Sequence, residues 1–199
     1  MKSAFLNSSV KFIKNYKDYS EHDIEKLRYG LEGIYLTVQK LVVITIISII
    51  LGIFKEVAIT LLLFNIIRFT GFGFHAETSM QCLFMSLSQF VILPYILISI
   101  AIPKTICLII CLMCIVSYIL FAPADTIKRP LPNMKKRKIR KLSTVLIGII
   151  YTSLIMIFFN TFITPLLLGA LIIEAVVINP LIYMMFKQPY NNYKTFTKA

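Results

Sequence analysis

The sequence predicts an all-α integral membrane protein, and three observations predict it. Of 199 residues, 58% are hydrophobic and 15% charged, with a mean hydropathy of +0.81. That leaves too little polar surface for a soluble domain of this length. Apolar runs near the length of a bilayer-spanning helix recur along the chain. Finally, the net charge of +12 is gathered at the N-terminus, in one central loop and at the C-terminal tail. Topology signals and contact with anionic membrane lipid explain that clustering better than a nucleic-acid partner does.

Residues 1–33 read as a polar cytoplasmic or interfacial amphipathic segment. They lack the apolar core and small-residue cleavage site of a signal peptide. Ser20-Glu21-His22-Asp23 has the form of a capping box, and Ile24, Leu27, Leu31 and Ile34 follow at helical spacing. A membrane domain over 34–186 then holds about six apolar transmembrane or re-entrant segments, near 34–54, 56–70, 80–102, 105–122, 143–163 and 165–186. The second is short and carries Asn65 and Arg68, which fits a partial or re-entrant element. Pro94, Pro165 and Pro180 are expected to kink or interrupt their segments. A basic loop, 123–142, separates the fourth segment from the fifth, and 187–199 form a tail. Eight of the fourteen residues from Lys128 to Lys141 are basic. The positive-inside rule therefore puts both termini, the 71–79 connection, the basic loop and the tail in the cytoplasm.

One stretch concentrates chemistry: RFTGFGFHAETSMQC, Arg68 to Cys82, holds one of the two histidines and one of the four cysteines. On a single straight helix His75 and Cys82 would stand roughly 10 Å apart, too far for a hydrogen bond. A working pair needs a bend between them. Gly71 and Gly73 loosen the backbone before His75, and Thr78 and Ser79 are both suitable helix N-caps. With Ser79 as the cap, Cys82 falls in the first turn of the next helix, where the helix dipole favours an anionic nucleophile. The pair then reads as nucleophile and general base. From spacing alone the blander reading, a packed cysteine and a solvated histidine, stays the more common one.

The same stretch resembles the catalytic region of the accessory gene regulator B (AgrB) family of membrane endopeptidases, which process quorum-sensing peptide precursors. Arg68, Gly73, His75 and Cys82 stand at that family's spacing. Lys26-Leu27-Arg28-Tyr29-Gly30-Leu31-Glu32 resembles its lead-in to the first segment. Ala122-Pro123-Ala124-Asp125, followed by Lys128-Arg129-Pro130-Leu131, resembles its loop after the fourth. The resemblance implies a cysteine endopeptidase acting on a short amphipathic precursor with an acidic C-terminal tail. Cys82 would attack the bond after the signal region, and His75 would activate it and protonate the leaving amine. The thioester acyl-enzyme would then be open to attack by a side chain of the peptide, closing a thiolactone or lactone ring. No cofactor and no metal are implied. A homodimer is also in keeping with the family, although no residue here carries it.

Arg68, Gly73, Ser79 and Gln81 are the supporting candidates at this site. Gln81, Asn65 and Ser79 are oxyanion or orienting candidates, and Arg68 is expected to pair with a carboxylate such as Glu77 or to extend to the interface. Lys128, Arg129, Lys135, Lys136, Arg137 and Lys138 are candidates for holding the acidic tail, beside their role as topology signals. Glu174, an ionisable residue inside the last apolar segment, is a site suspect by position that could orient His75 or bind a cation, with a structural hydrogen bond to a neighbouring helix as its plainer reading. Cys107, Cys111 and Cys114 share one face of the fourth segment and read as packing rather than as a metal site. The rival function is a small membrane transporter or peptide exporter using Glu174 and Arg68. The 68–82 stretch discriminates, since a transporter has no need of a His–Cys pair at a bend.

Overall fold

The computed structural model describes residues 2–14, 20–76, 78–126 and 130–196. The chain divides into two compact units, Met1–Ile47 and Ser48–Ala199. The first unit contains helix α1 (Lys2–Lys14) and most of helix α2 (Glu21–Ile50). The start of α2 is capped as the sequence predicts: the Ser20 hydroxyl accepts from the Asp23 amide at 3.2 Å and donates to the Asp23 carboxylate at 2.7 Å. The polar lead-in and the first apolar segment prove to be one helix, because neither Gly30 nor Gly33 ends it and no proline intervenes. The helical α1 was not foreseen. Phe5 packs on Tyr35 with ring centroids 5.3 Å apart, and Arg28 donates to the Asn7 side chain at 3.1 Å.

The second unit is a bundle around one buried helix. Helix α3 (Phe54–Gly71) is followed by α4 (Ser79–Leu87), a π-helical turn (Ser88–Ile92) and α5 (Leu93–Ser99), which run on as one bent segment. Pro94 lacks the amide that would bond to Phe90, and the widened turn falls just before it, with the Leu93 amide donating to the Ser88 carbonyl. Helices α6 (Lys104–Phe121), α7 (Met134–Ile157) and α8 (Ile163–Val177) complete the bundle. Helix α8 is apolar nearly all round because most of it is covered: Leu166, Leu167, Leu168, Ala170, Leu171 and Ile173 are all buried. It packs against α3, α5, α6 and α7. Gly148 on α7 leaves room for the Tyr118 ring, 2.9 Å from where a Cβ would stand. The Tyr118 hydroxyl donates to the Leu171 carbonyl at 2.6 Å, and that of Tyr151 donates to Leu63 at 3.0 Å.

As the sequence predicts, Pro180 interrupts the last apolar segment and opens α9 (Pro180–Met185). One boundary differs from the sequence expectation. The second half of the basic loop is helical: Asn133 caps α7 by accepting from the Lys136 amide at 3.1 Å, so Lys135 to Lys141 ride on its first two turns. A short helix, α10 (Tyr193–Phe196), lies in the tail. Among the described residues, four helical runs are long and apolar enough to cross a membrane: Glu21–Ile50, Ser79–Ser99, Lys104–Phe121 and Met134–Ile157. Ile163–Val177 is a shorter apolar helix. Helix α3 matches α6 in length but carries Lys55, Glu56 and Arg68. Outward-facing apolar residues such as Leu62, Met113, Leu120 and Ile157 are exposed, as a bilayer-embedded surface requires. This is an all-α membrane protein.

Candidate active site

The site grows from the C-terminal end of α3. Phe72 leaves the helix in a left-handed conformation, with φ 61°, and its amide still donates to the Arg68 carbonyl. The next residues then meet two other parts of the unit. The Gly73 amide donates to the Ala124 carbonyl at 2.7 Å, and the Ala124 amide donates to Gly71 at 3.0 Å, forming a short parallel bridge. The Phe74 amide donates to the Val177 carbonyl at the end of α8, at 2.8 Å. Gly73 is required here on two counts. Its φ is +113°, and a Cβ would lie 2.8 Å from the Val177 oxygen and run into the Arg68 guanidinium.

Arg68 does not extend to the interface. Its guanidinium donates to three successive carbonyls: Phe72 through Nη1, and Gly73 (3.1 Å) and Phe74 (2.7 Å) through Nη2. Its Nη1 also lies 3.9 Å from a carboxylate oxygen of Glu174, a side chain with no solvent exposure. The Glu174 side chain is thus an ion-pair partner within the protein, where the sequence suggested a hydrogen bond to a neighbouring helix. The partner suggested for Arg68, Glu77, lies outside the described residues.

His75 follows on this held backbone, with its side chain exposed. Its carbonyl accepts from the Gln188 side chain at 3.1 Å, and Phe74 before it packs on Phe186 and Tyr183 with centroids 4.8 and 5.8 Å apart. The chain then turns into α4. The cap is Thr78, whose hydroxyl accepts from the Gln81 amide at 3.3 Å, while the Cys82 amide donates to the Thr78 carbonyl at 3.0 Å. Ser79, expected as the cap, is instead the first helical residue, which puts Cys82 one residue further into α4 than expected. Thr78 wins because it holds the extended conformation that a cap needs (φ −102°, ψ 149°). His75 and Cys82 therefore belong to different elements, a non-helical strut and a helix, with a bend between them. Cys82 is half-buried, whereas Cys107, Cys111 and Cys114 are buried. The exposed Asn65 bonds back to the Leu61 carbonyl on its own helix at 2.7 Å and is not brought to the site.

The basic residues separate into two groups. Arg137 is engaged: it lies 3.5 Å from the buried Asp125 carboxylate, donates to the Pro123 carbonyl at 3.1 Å and stacks on the Tyr193 ring at 3.6 Å. Lys135, Lys136 and Lys138 are exposed on α7. Lys128 and Arg129 lie outside the described residues. A cavity of about 450 Å³ opens here, lined among others by Phe121, Met134, Lys138, Lys141 and Tyr190. Burial pushes the Tyr190 phenol up to about 12, against the pull of Arg137, so it stays a donor, bonding to the Phe121 carbonyl at 3.2 Å. Asp125, Tyr183 and Gln188 carry no assigned role in the sequence reading. The signal for Asp125 was present: it is the one acid just ahead of the eight bases.

Comparison with known proteins settles the relationship. Residues 6–183 match the family described as accessory gene regulator B, AgrB. The chain belongs to that family. It is 31% identical to an AgrB-like protein of Listeria welshimeri over 91% of this chain and 88% of the relative. An AgrB-like protein of Clostridium acetobutylicum is 30% identical over 89% of this chain and 85% of its own length. The accessory gene regulator protein B of Staphylococcus aureus is 32% identical over 79% and 83%. No solved structure matches. Membership of the AgrB family gives this membrane protein a role in accessory-gene-regulator quorum sensing.

Proposed function

We propose that this AgrB-family protein is a membrane cysteine endopeptidase that removes the C-terminal tail of an autoinducing-peptide precursor and lets the remainder cyclise. The observation that carries the reading is the break between His75 and Cys82. A histidine on a backbone strut tied at Ala124, Val177 and Gln188 precedes a capped helix that holds the half-buried cysteine in its first turn. His75 takes the thiol proton as Cys82 attacks the scissile carbonyl. The same proton passes to the leaving amine as the peptide bond breaks, giving a thioester and a free tail. A thiol or hydroxyl of the bound peptide then attacks the thioester, the Cys82 sulfur leaves and is reprotonated, and a thiolactone or lactone forms. Exchange between a thioester and a thiolactone is nearly balanced in bond energy, so closure depends on holding the peptide ends together and excluding water.

The exposed Lys135, Lys136 and Lys138 are assigned to the acidic tail of the precursor and to anionic lipid. The basic first turns of α7 lie at the same end of the unit as the His75 strut, since Arg140 donates to the Phe69 carbonyl at 2.6 Å. The positive-inside rule then places the site at the cytoplasmic face of a multi-pass protein. The deciding experiment is cleavage of precursor by purified protein in liposomes. Cys82→Ser and His75→Gln are expected to insert normally and cleave nothing detectable. Full cleavage by the Cys82→Ser protein overturns the assignment.

A further inference from the structure

We propose that Glu174 is a positioning residue for the His75–Cys82 pair: its buried carboxylate fixes the Arg68 guanidinium, which holds the backbone that presents His75. The inference rests on the proposed dyad. A guanidinium is a planar fork of five donors, and here it meets the Phe72, Gly73 and Phe74 carbonyls in succession. Three carbonyls supply acceptors but no countercharge. Glu174 supplies one from α8, 3.9 Å away. Neither of its carboxylate oxygens accepts a hydrogen bond from any described residue.

A buried ion pair of that kind is weak as a source of stability, because desolvation offsets most of the attraction; fixing one arrangement among several is its better-attested use. The surroundings are shaped for it. A Cβ at Gly71 would run into the Glu174 carboxylate and stand 3.3 Å from Thr144. Glu174 and Val177 are three residues apart and so share one face of α8. That face therefore grips the strut twice, through charge at Arg68 and through the main chain at Phe74. His75 is the next residue along.

The test compares Glu174→Gln, which keeps the shape and removes the charge, with Glu174→Asp, which keeps the charge. Both are made in the full chain in liposomes. Expected for Glu174→Gln is a kcat lower by about tenfold or more, as small misplacements of a catalytic group cost, with KM for the precursor within about twofold. Glu174→Asp should recover part of the kcat. A substrate-free measurement accompanies these: amide hydrogen exchange over 72–76 should quicken by about tenfold in Glu174→Gln while exchange in α6 and α7 is unchanged. The proposal is overturned by wild-type kcat and exchange in Glu174→Gln, by loss of activity with exchange quickened throughout the bundle, or by failure of both variants to accumulate folded. Failure of the dyad reading would show separately, as cleavage by Cys82→Ser, and this proposal would fall with it.

Discussion

The Asp125 carboxylate lies 3.5 Å from the Arg137 guanidinium, and together they join the start of the basic segment to the first turn of α7. Asp125 is almost wholly buried, and it also accepts from the Leu131 amide at 3.3 Å. Removing one partner of a buried pair leaves the other uncompensated. Asp125→Ala is therefore expected to lower unfolding stability by about 3 kcal/mol, read as a lower midpoint in detergent. The double variant Asp125→Asn with Arg137→Gln should lose less than the sum of its parts.

The same pair redirects the test of the acidic-tail contact. Arg137 supports the fold, so the substitutions belong at the exposed Lys135, Lys136 and Lys138. Changing these three to Gln should raise KM for the precursor and leave kcat much less altered, because the tail contact is present in ground and transition states alike. The wild-type KM should also rise with salt as screening shortens the Debye length to about 10 Å near 0.1 M, and the variant should respond less. An unchanged KM in correctly oriented variant protein would reduce these lysines to topology signals.

Thiol labelling offers a check that needs no substrate. Cys82 is half-buried and the three cysteines of α6 are buried, so a membrane-impermeant maleimide should modify one site, and Cys82→Ala should abolish the signal. Labelling confined to the cytoplasmic side of oriented vesicles fits the proposed topology. Labelling from the other side would reverse it.

Glycine replacements should sort by position. Gly73→Ala meets both a positive φ and the Val177 and Arg68 atoms, and cleavage should fall at least about a hundredfold. Gly30→Ala and Gly33→Ala add a Cβ within α2 with nothing inside 4 Å. They should raise helix stability by roughly 0.5–1 kcal/mol and leave cleavage unchanged.

The membrane class was legible because hydropathy and segment length are local properties. The Ser20 cap was legible for the same reason. Spacing also singled out the candidate stretch, since a bend between His75 and Cys82 is a chemical requirement of a working pair and glycines mark where a chain can bend. What spacing could not supply was the partner of each charge. Arg68 meets Glu174, 106 positions further along the chain, and Arg137 on α7 meets Asp125, which lies before that helix. Both pairings depend on which helix ends share one end of the bundle, and hydropathy is silent on that. The choice of Thr78 over Ser79 as cap was equally hidden, since both hydroxyls suit the role and only the backbone angles separate them.

The break between α8 and α9 reassigns a carbonyl. In an uninterrupted helix the Val177 oxygen would accept from the Leu181 amide four residues on. Instead the Asn179 side chain takes that amide at 2.9 Å, and Pro180 has none to offer. The Val177 oxygen is left to the Phe74 amide from a different part of the chain. An asparagine and a proline thus turn the frayed end of one helix into a docking peg for the histidine strut. Healing the helix would withdraw that peg without touching a residue of the strut itself.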